Sequence, residues 1–478
     1  PLFIDFLEQK KKKLIYIAPL KSIISDLYEN LCLIASELKL SINISKRTGD
    51  ESYILKKKQI KYPPDILLTT PESLALMMSN SDFDLTFKTT SYLIIDELNE
   101  IINTKRGDQL SLVISQILDK NAIIKIFSCC TNTENFNYLL SWISFNGKAK
   151  IINNKSLKKF NLDILLIDNV PDYGHSVKFA LAEIYKIIKN SKTIIFVNTR
   201  AQSEILYKDL FLSFPELKIG IYHGSLSKKI RLETERKIKD NSISSIVTTS
   251  SLEMGIDWDN IQKVINIGAP KSVNKIIQRM GRSNHKYNKT SEAILIPTNK
   301  FEYLECKALQ DLIKSKKFDK IIKKKGSKDV LCQHLLLVAC NSSFCPDRLY
   351  NNIKKTYPYN DLSKCKFNKI LNFVHNGGYA LQNYQGVRKL KKLSNGEFLV
   401  KDENNKRIIL MNSGTIVDSS NIKIKTIYGK LLGTVEESFI NSLKLGNSFI
   451  FAGMNLQCLQ IKNDEIIVDS RKRNTEKV

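Results

Sequence analysis

Short apolar runs alternate with longer amphipathic segments from residue 1 to about residue 300. Leu14–Ile17, Asp65–Thr69, Tyr92–Ile95 and Ile123–Ser128 are too short for helices and rich in β-branched and aromatic residues, which predicts buried strands. Between them, the stretch LYENLCLIASEL places its apolar residues at helical spacing, and Pro71-Glu72 suits the first turn of a helix. A basic, Asn-rich join near 152–162 interrupts the pattern, which then restarts. Thr193–Val197, Lys218–Tyr222, Ser245–Thr248 and Val264–Ile267 read as strands with helices between them. Strand–helix alternation predicts a parallel sheet covered by helices. Two such units of similar size predict two lobes with a cleft between them.

The period then changes. Residues 302–325 read as a helix ending in Lys323-Lys324-Lys325, and Asp329 to about Tyr384 is helical, closing on Gly377-Gly378. From about Val387 the runs GEFLVKD, RIILMNSGTIV, KIKTIYGKLLGTVEESFI and NSFIFAG read as short strands joined by Asn/Gly turns. They predict a small β-barrel or sandwich.

Composition adds a charge argument. The 478 residues carry 74 Lys+Arg against 48 Asp+Glu, a net charge of +26. Such an excess attracts polyanions, nucleic acid above all, although Lys, Ile and Asn crowd the whole chain as an AT-rich coding bias also produces. Nine cysteines show no Cys-x-x-Cys spacing, so free thiols in a reducing compartment are expected rather than a metal site or a disulfide framework. No apolar run reaches the ~18 residues that span a membrane, and the N-terminus has no signal-peptide pattern. The chain begins with Pro1 rather than Met.

Several motifs sit where strands end. Asp96-Glu97, in IIDELNE, closes an apolar strand, where open α/β sheets bind ligands. The first carboxylate suits Mg²⁺ held largely through water, and the second suits orienting or deprotonating an attacking water. APLKSI (Ala18–Ile23) and TTPESL (Thr69–Leu74) offer hydroxyls, a lysine and helix N-terminal amides to a phosphate backbone, and equally suit simple helix capping. FVNTRAQSE (Phe196–Glu204) and YHGSLSKKIR (Tyr222–Arg231) repeat the theme. His223 is either a turn residue or a group whose partner the sequence does not identify. In QRMGRSNH (Gln278–His285), Arg279 and Arg282 stand three apart on one helical face or turn, suited to a γ-phosphate or to a solvated basic surface.

Seven such elements occur in one order, and that order resembles the superfamily 2 helicases: APLK, TPESL, DELN, SCCT (Ser128–Thr131), FVNTR, TTSSLEMGID and QRMGRSNH. The closer resemblance is to the large helicase-related (Lhr-type) DEXH-box group, especially its DNA-ligase-associated bacterial branch. NTKRGDQL (Asn103–Leu110), IPTNKFEYLECKA (Ile296–Ala308), DVLCQHLL (Asp329–Leu336), FVHNGGYAL (Phe373–Leu381) and GTVEESFI (Gly433–Ile440) carry it. The resemblance implies an α/β protein with two RecA-like parallel-sheet lobes, followed by a winged-helix domain and a small β-barrel. The corresponding divisions are 1–155, 156–305, 306–386 and 387–478. It implies a cytoplasmic, nucleoid-associated bacterial 3′–5′ DNA helicase that hydrolyses ATP with Mg²⁺ and tracks single-stranded or partly duplex DNA in repair, beside a DNA ligase or nuclease. Asp96 and Glu97 take the Mg²⁺ and water roles, and Gln278 and Arg282 act in hydrolysis. Gly255, Asp257 and His285 approach the nucleotide. Pro19, Lys21, Thr70, Arg106, Thr199, Arg200, Thr249 and Ser250 line the DNA.

The pattern is departed from in places. No Gly-Lys-Ser or Gly-Lys-Thr exists, although such ATPases hold phosphates with a Gly-x-x-x-x-Gly-Lys-[Ser/Thr] loop. The expectation is therefore a fragment whose Pro1–Leu7 follows that loop and which is inactive alone. Asn99 stands where the family has His, and Ser-Cys-Cys replaces Ser-Ala-Thr. A non-enzymatic nucleic-acid-binding remnant and an RNA helicase are the alternatives.

Overall fold

The computed structural model describes residues 4, 8 and 12–469, except 131–135, 146–148, 153–159, 168–170, 173–176, 254–260, 284–289, 379–387, 413–420, 437–438, 440–442, 444 and 462–464. Strands β1 (Lys13–Ile17), β2 (Ile44–Arg47), β3 (Ile66–Thr69), β4 (Thr90–Ile95) and β5 (Lys125–Ser128) form a parallel sheet in the order β2-β3-β1-β4-β5. Their last residues are in register: Ile17 lies opposite Thr69 and Ile95, Arg47 opposite Thr69, and Ser128 opposite Ile95. The motifs that follow these strands therefore share one edge. Alternate residues face opposite ways, so Leu67 joins the core beneath α3 (Pro71–Met78) and α4 (Lys105–Lys120). Ile66 and Leu68 join the one beneath α1 (Lys21–Glu37). Helix α2 (Tyr53–Lys61) lies between β2 and β3 in the chain.

The second sheet has the order β6-β11-β10-β7-β9-β8, again parallel. Its strands are β6 (Phe160–Ile164), β7 (Thr193–Val197), β8 (Ile219–Tyr222), β9 (Ser245–Thr248), β10 (Lys263–Ile267) and β11 (Ser291–Ile296). Helices α5 (Arg200–Ser213), α6 (Lys228–Lys239), α7 (Val273–Met280) and α8 (Lys300–Lys314) belong to this part of the chain. The third region is helical: α9 (Lys328–Asn341), α10 (Pro346–Lys354) and α11 (Lys364–Asn376) share a core with the hairpin β12 (Leu390–Lys392)–β13 (Phe398–Val400). Helix α12 (Glu403–Met411) follows, and then β14 (Asn421–Thr426), β15 (Leu431–Glu436), β16 (Ser448–Phe451), β17 (Met454–Ile461) and β18 (Glu465–Asp469). These last strands form a curled half-barrel sheet in the order β15-β14-β18-β17-β16. The expected α/β architecture of two RecA-like lobes, a winged-helix region and a small barrel-like sheet is what the chain adopts.

Two local expectations are corrected. The helix expected over 302–325 ends at Lys314, where the backbone turns left-handed at Lys316 (φ 55°), so the lysine run lies outside it. There Lys323 binds Asp361 at 2.8 Å and lies 4.9 Å from the Tyr357 ring centre. RIIL, expected as strand, belongs to α12. Asp402 caps that helix by accepting from the Asn405 amide at 2.8 Å, and the polar run after the cap starts a helix that outweighs the strand preference of Ile408 and Ile409.

The chain divides into two compact units, Pro1–Asn153 with Lys320–Ile416 and Asn154–Asp319 with Val417–Val478. In the first, α4 is buried from Gly107 through Ile117, packed against its own sheet and the winged-helix region. Asp108 accepts from the Ser327 amide at 2.8 Å, and the Ser115 hydroxyl donates to the Asn352 carbonyl at 2.8 Å. In the second, the loop after β8 pairs with the edge of the half-barrel: Ser227 N donates to Leu432 O and Thr434 N to Ser225 O, both at 2.8 Å. Gly433 is required there, since a Cβ would lie 1.9 Å from Ser225 O. Among the described residues no helix is long and apolar enough to cross a membrane.

Candidate functional site

At the first sheet's carboxyl edge, the Asp96 amide donates to Ile17 O at 2.9 Å, continuing the β1–β4 ladder. Its carboxylate accepts from the Tyr16 hydroxyl at 2.7 Å and from the Glu97 amide at 3.0 Å. Glu97 is left-handed (φ 46°, ψ 50°), a strained conformation for a residue with a Cβ. The neighbouring strand secures the turn: Leu98 N donates to Cys129 O at 3.1 Å, and Cys129 N to Ile95 O at 3.0 Å. Burial first, and then Asp96, push the Tyr16 hydroxyl far up. Burial and the two carboxylates likewise raise the Cys129 thiol. The neighbours thus stay neutral around a negative edge suited to a hard cation. Among the described residues no group of three or more His, Cys, Asp or Glu could hold a metal. Asp96 and Glu97 are the carboxylates at this edge that could hold Mg²⁺ together with the phosphates it accompanies.

The other first-lobe candidates divide. Lys21 begins α1 with its ammonium exposed, paired with Asp50 at 2.8 Å. Thr70 is buried and caps α3, accepting from Ser73 N at 3.3 Å. Arg106 forks across Glu72, and its Nη2 also donates to the Pro19 carbonyl at 2.7 Å. Burial alone would raise the Glu72 carboxyl, but the Arg106 hydrogen bond and charge outweigh it and hold it below the usual range. Arg106 thus ties the Pro19 turn to the start of α3. Its neighbours hold other elements: Asn103 accepts from the Tyr138 hydroxyl at 2.9 Å, Lys105 pairs with Asp329 at 2.8 Å, and Gln109 accompanies Gln333 at 3.1 Å. Gly107 permits the tight turn, as a Cβ would sit 2.3 Å from Ile101 O.

At the second sheet's edge, Thr199 caps α5 in a reciprocal box with Gln202, and Arg200 follows it, exposed. Thr249 is buried and Ser250 exposed after β9. Helix α7 is capped by Ser272, whose hydroxyl donates to Asp319 at 2.6 Å. Here the two arginines part company. Arg279 is buried: it grips Glu253 through Nε at 2.8 Å and Nη2 at 2.6 Å, and reaches Asn266 at 2.9 Å. It lies 4.8 Å from the Phe196 ring centre. Burial lowers its pKa, and Glu253 opposes the shift. Arg279 therefore does not share a solvent- or ligand-facing surface with Arg282, as their spacing suggested. Arg282 is half-buried, its Nε and Nη2 donating to the Glu253 carbonyl at 3.0 and 2.9 Å. Gln278 precedes Arg279 on α7, half-buried. Gly255, Asp257 and His285 lie outside the described residues.

His223 does have a partner. It is fully buried, with Nε2 2.8 Å from the Glu204 carboxylate. Glu204 also accepts the Ala452 and Gly453 amides at 2.5 and 2.6 Å, joining β7–α5 to the β16–β17 hairpin. Glu72, Glu253, Glu204 and Tyr16 were missed from the sequence. Each lies at least nineteen residues from its partner, so no local spacing marks it.

Three family models match in succession: the DEAD/DEAH box helicase over residues 1–138, the helicase conserved C-terminal domain over 177–286, and the winged helix domain of large helicase-related protein over 311–478. The ATP-dependent helicase Lhr-Core of Methanocaldococcus jannaschii is 33% identical over 477 residues, covering 95% of this chain and 55% of the relative. The chain belongs to the large helicase-related (Lhr) family of superfamily 2 helicases. The Lhr-Core protein 2 of Thermococcus barophilus is 29% identical, covering 97% of this chain and 56% of its own. The chain thus spans about half the length of these curated Lhr relatives. The structure of Mycobacterium smegmatis helicase Lhr bound to ssDNA and AMP-PNP superposes with a TM-score of 0.75 at 25% identity, over 86% of this chain and 55% of that one. The DUF1998 helicase MrfA, bound to DNA and AMPPNP, has the same TM-score at 17% identity, over 99% and 65%, a likeness of fold.

Proposed function

We propose that this Lhr-family chain is the DNA-tracking and nucleotide-responsive part of an ATP-dependent helicase. The observation that carries the reading is the registration of motifs at the carboxyl edges of two parallel sheets. Asp96-Glu97 stands on one edge, and on the other Arg282 is held by the carbonyl of buried Glu253. Asp96 would hold Mg²⁺ and Glu97 would orient the attacking water; Mg²⁺ supplies charge neutralisation to the phosphates when bound. Arg282, with Gln278, is assigned to the γ-phosphate, and Gly255, Asp257 and His285 to the nucleotide's second flank. Lys21, Arg200 and Ser250 offer exposed polar groups to the strand, whereas Pro19, Thr70 and Arg106 act by shaping the edge. The 3′–5′ direction, the repair setting, the ligase-associated branch and a ligase or nuclease partner are finer parts of the same proposal, supported by resemblance. So is the division at 155, 305 and 386.

The test pairs binding with turnover. The chain should bind single-stranded DNA with an affinity that falls steeply as salt rises. Because the sequence contains no Gly-Lys-Ser or Gly-Lys-Thr, hydrolysis is measured with that loop supplied as an added N-terminal segment. DNA-stimulated hydrolysis should then appear and be abolished by Glu97→Gln. Failure to bind single-stranded DNA would overturn the reading. Binding without any hydrolysis once the loop is present would favour a binding module over a motor.

A further inference from the structure

Tyr16 is the penultimate residue of β1, the central strand of the first sheet. It lies opposite Ile94 on β4. Alternation puts Leu93 and Ile95 in the core on one side of the sheet, with Ile15 and Ile17, and leaves Tyr16, Ile94 and Asp96 on the other. Asp96 lies two residues beyond Ile94, roughly 6.6 Å along the strand at about 3.3 Å per residue. A tyrosine leaning along its strand crosses that gap; a serine or threonine in its place is too short. The Tyr16 hydroxyl does cross it, donating to Asp96 Oδ2 at 2.7 Å.

The two oxygens of Asp96 are held by groups of unlike rigidity. Oδ1 accepts the Glu97 amide at 3.0 Å, a bond inside its own turn, and that turn runs through left-handed Glu97. Oδ2 accepts from a strand that is hydrogen-bonded on both sides, to β3 and to β4. Among the described residues no other side chain hydrogen-bonds Asp96. An ionised carboxylate has about four lone-pair sites, so both oxygens keep capacity for an ion. Orientation then matters, because Mg²⁺ demands near-ideal octahedral geometry. A carboxylate free to turn about its Cβ–Cγ bond offers no fixed direction, and the phenol removes that freedom. The same strand runs on to the Pro19 turn, whose carbonyl accepts from Arg106 at 2.7 Å, so one rigid element frames both.

We propose that Tyr16 is a positioning residue for Mg²⁺ binding: its hydroxyl fixes the plane of the Asp96 carboxylate and acts on the ion only through it. The proposal rests on the reading of Asp96 as the Mg²⁺ residue. Hydrogen bonds that orient a ligating carboxylate change metal affinity by about ten- to hundredfold.

The experiment titrates Mn²⁺ alone, as a spectroscopic substitute for Mg²⁺, into the full chain and follows the free ion by electron paramagnetic resonance. Asp96→Asn defines the site: the Mn²⁺ binding that this variant loses is the Asp96-dependent component. Tyr16→Phe keeps the ring and removes only the hydroxyl. It should weaken that component by at least about tenfold, with an unchanged melting temperature. A second measurement uses the chain carrying an added Gly-x-x-x-x-Gly-Lys-[Ser/Thr] segment. There Tyr16→Phe should raise the half-saturating Mg²⁺ concentration for hydrolysis by a similar factor, with kcat restored at saturating Mg²⁺. An Asp96-dependent component that Tyr16→Phe leaves intact overturns the role of Tyr16 alone. A kcat that stays low at saturating Mg²⁺ also overturns it, since the hydroxyl would then serve the reaction or the fold rather than ion binding. Absence of any Asp96-dependent Mn²⁺ binding overturns the assignment of Asp96 itself, and the role of Tyr16 falls with it.

Discussion

Each lobe contains an arginine fork on a glutamate, and the two differ in burial. Arg279 and Glu253 are 4% and 5% exposed; Arg106 and Glu72 are 31% and 26% exposed. Both forks join elements that the resemblance assigns to separate motifs. The buried one fixes α7 to the turn after β9 and leaves Arg282 beside it, held by the Glu253 carbonyl. The half-exposed one links the Pro19 turn, α3 and α4 at the rim. The contrast shows that an arginine's position in a motif does not give its task. A guanidinium satisfied deep inside the protein is a buried fastener, and one satisfied at the rim ties its elements together while staying partly solvated.

The contrast is broken most directly by Arg279→Ala. Leaving Glu253 as an uncompensated buried charge should cost about 3–5 kcal/mol, seen as a lowered chemical-denaturation midpoint. A change no larger than that of Arg106→Ala would end the distinction. The buried histidines sharpen the comparison next. His223 has Glu204, whereas His334 Nε2 has no hydrogen-bond partner, and burial lowers the His334 pKa to about 4. The unfolded chain, with a histidine near 6.5, binds the proton more readily, so stability is full above that value and falls as pH drops toward about 4. His334→Leu should flatten that part of the stability profile, as followed by melting temperature against pH.

Smaller effects follow at the rim. Arg106→Ala should cost about 1 kcal/mol, because the pair is partly solvated. The Glu72 carboxyl is held low by Arg106, so the pair's contribution is present at neutral pH and lost as pH falls through the folded-state value; Glu72→Gln should remove that acid dependence. Finally, Glu97→Gly should stabilise the turn by about 1 kcal/mol through relief of its left-handed backbone. It would also remove the carboxylate assigned to hydrolysis. A destabilised Glu97→Gly protein would show that the Glu97 side chain contributes more than its backbone strain costs.

The sheets were legible because ILLT, YLII and SIVT are compact apolar runs ending in Thr-Pro, Asp-Glu or Thr-Thr turns, where strand and chemistry coincide. Asp96-Glu97 was legible for the same reason. The division of labour between Arg279 and Arg282 was not, because it depends on Glu253, twenty-six residues upstream of Arg279. Nor was the role of NTKRGDQL, whose lysine, arginine, aspartate and glutamine each answer to a distant partner. Around α12, Asp402 and a polar run outweighed isoleucines that favour strand, and pattern alone does not rank those preferences.

The central claim is that Arg282 faces the nucleotide while the strand is held elsewhere. It is tested most directly by measuring hydrolysis and single-stranded DNA affinity together for Arg282→Ala in the chain carrying an added Gly-x-x-x-x-Gly-Lys-[Ser/Thr] segment. Hydrolysis should fall by at least about a thousandfold, the scale of a transition-state arginine, with DNA affinity nearly unchanged. Equal loss of both, or retained hydrolysis, would contradict the account.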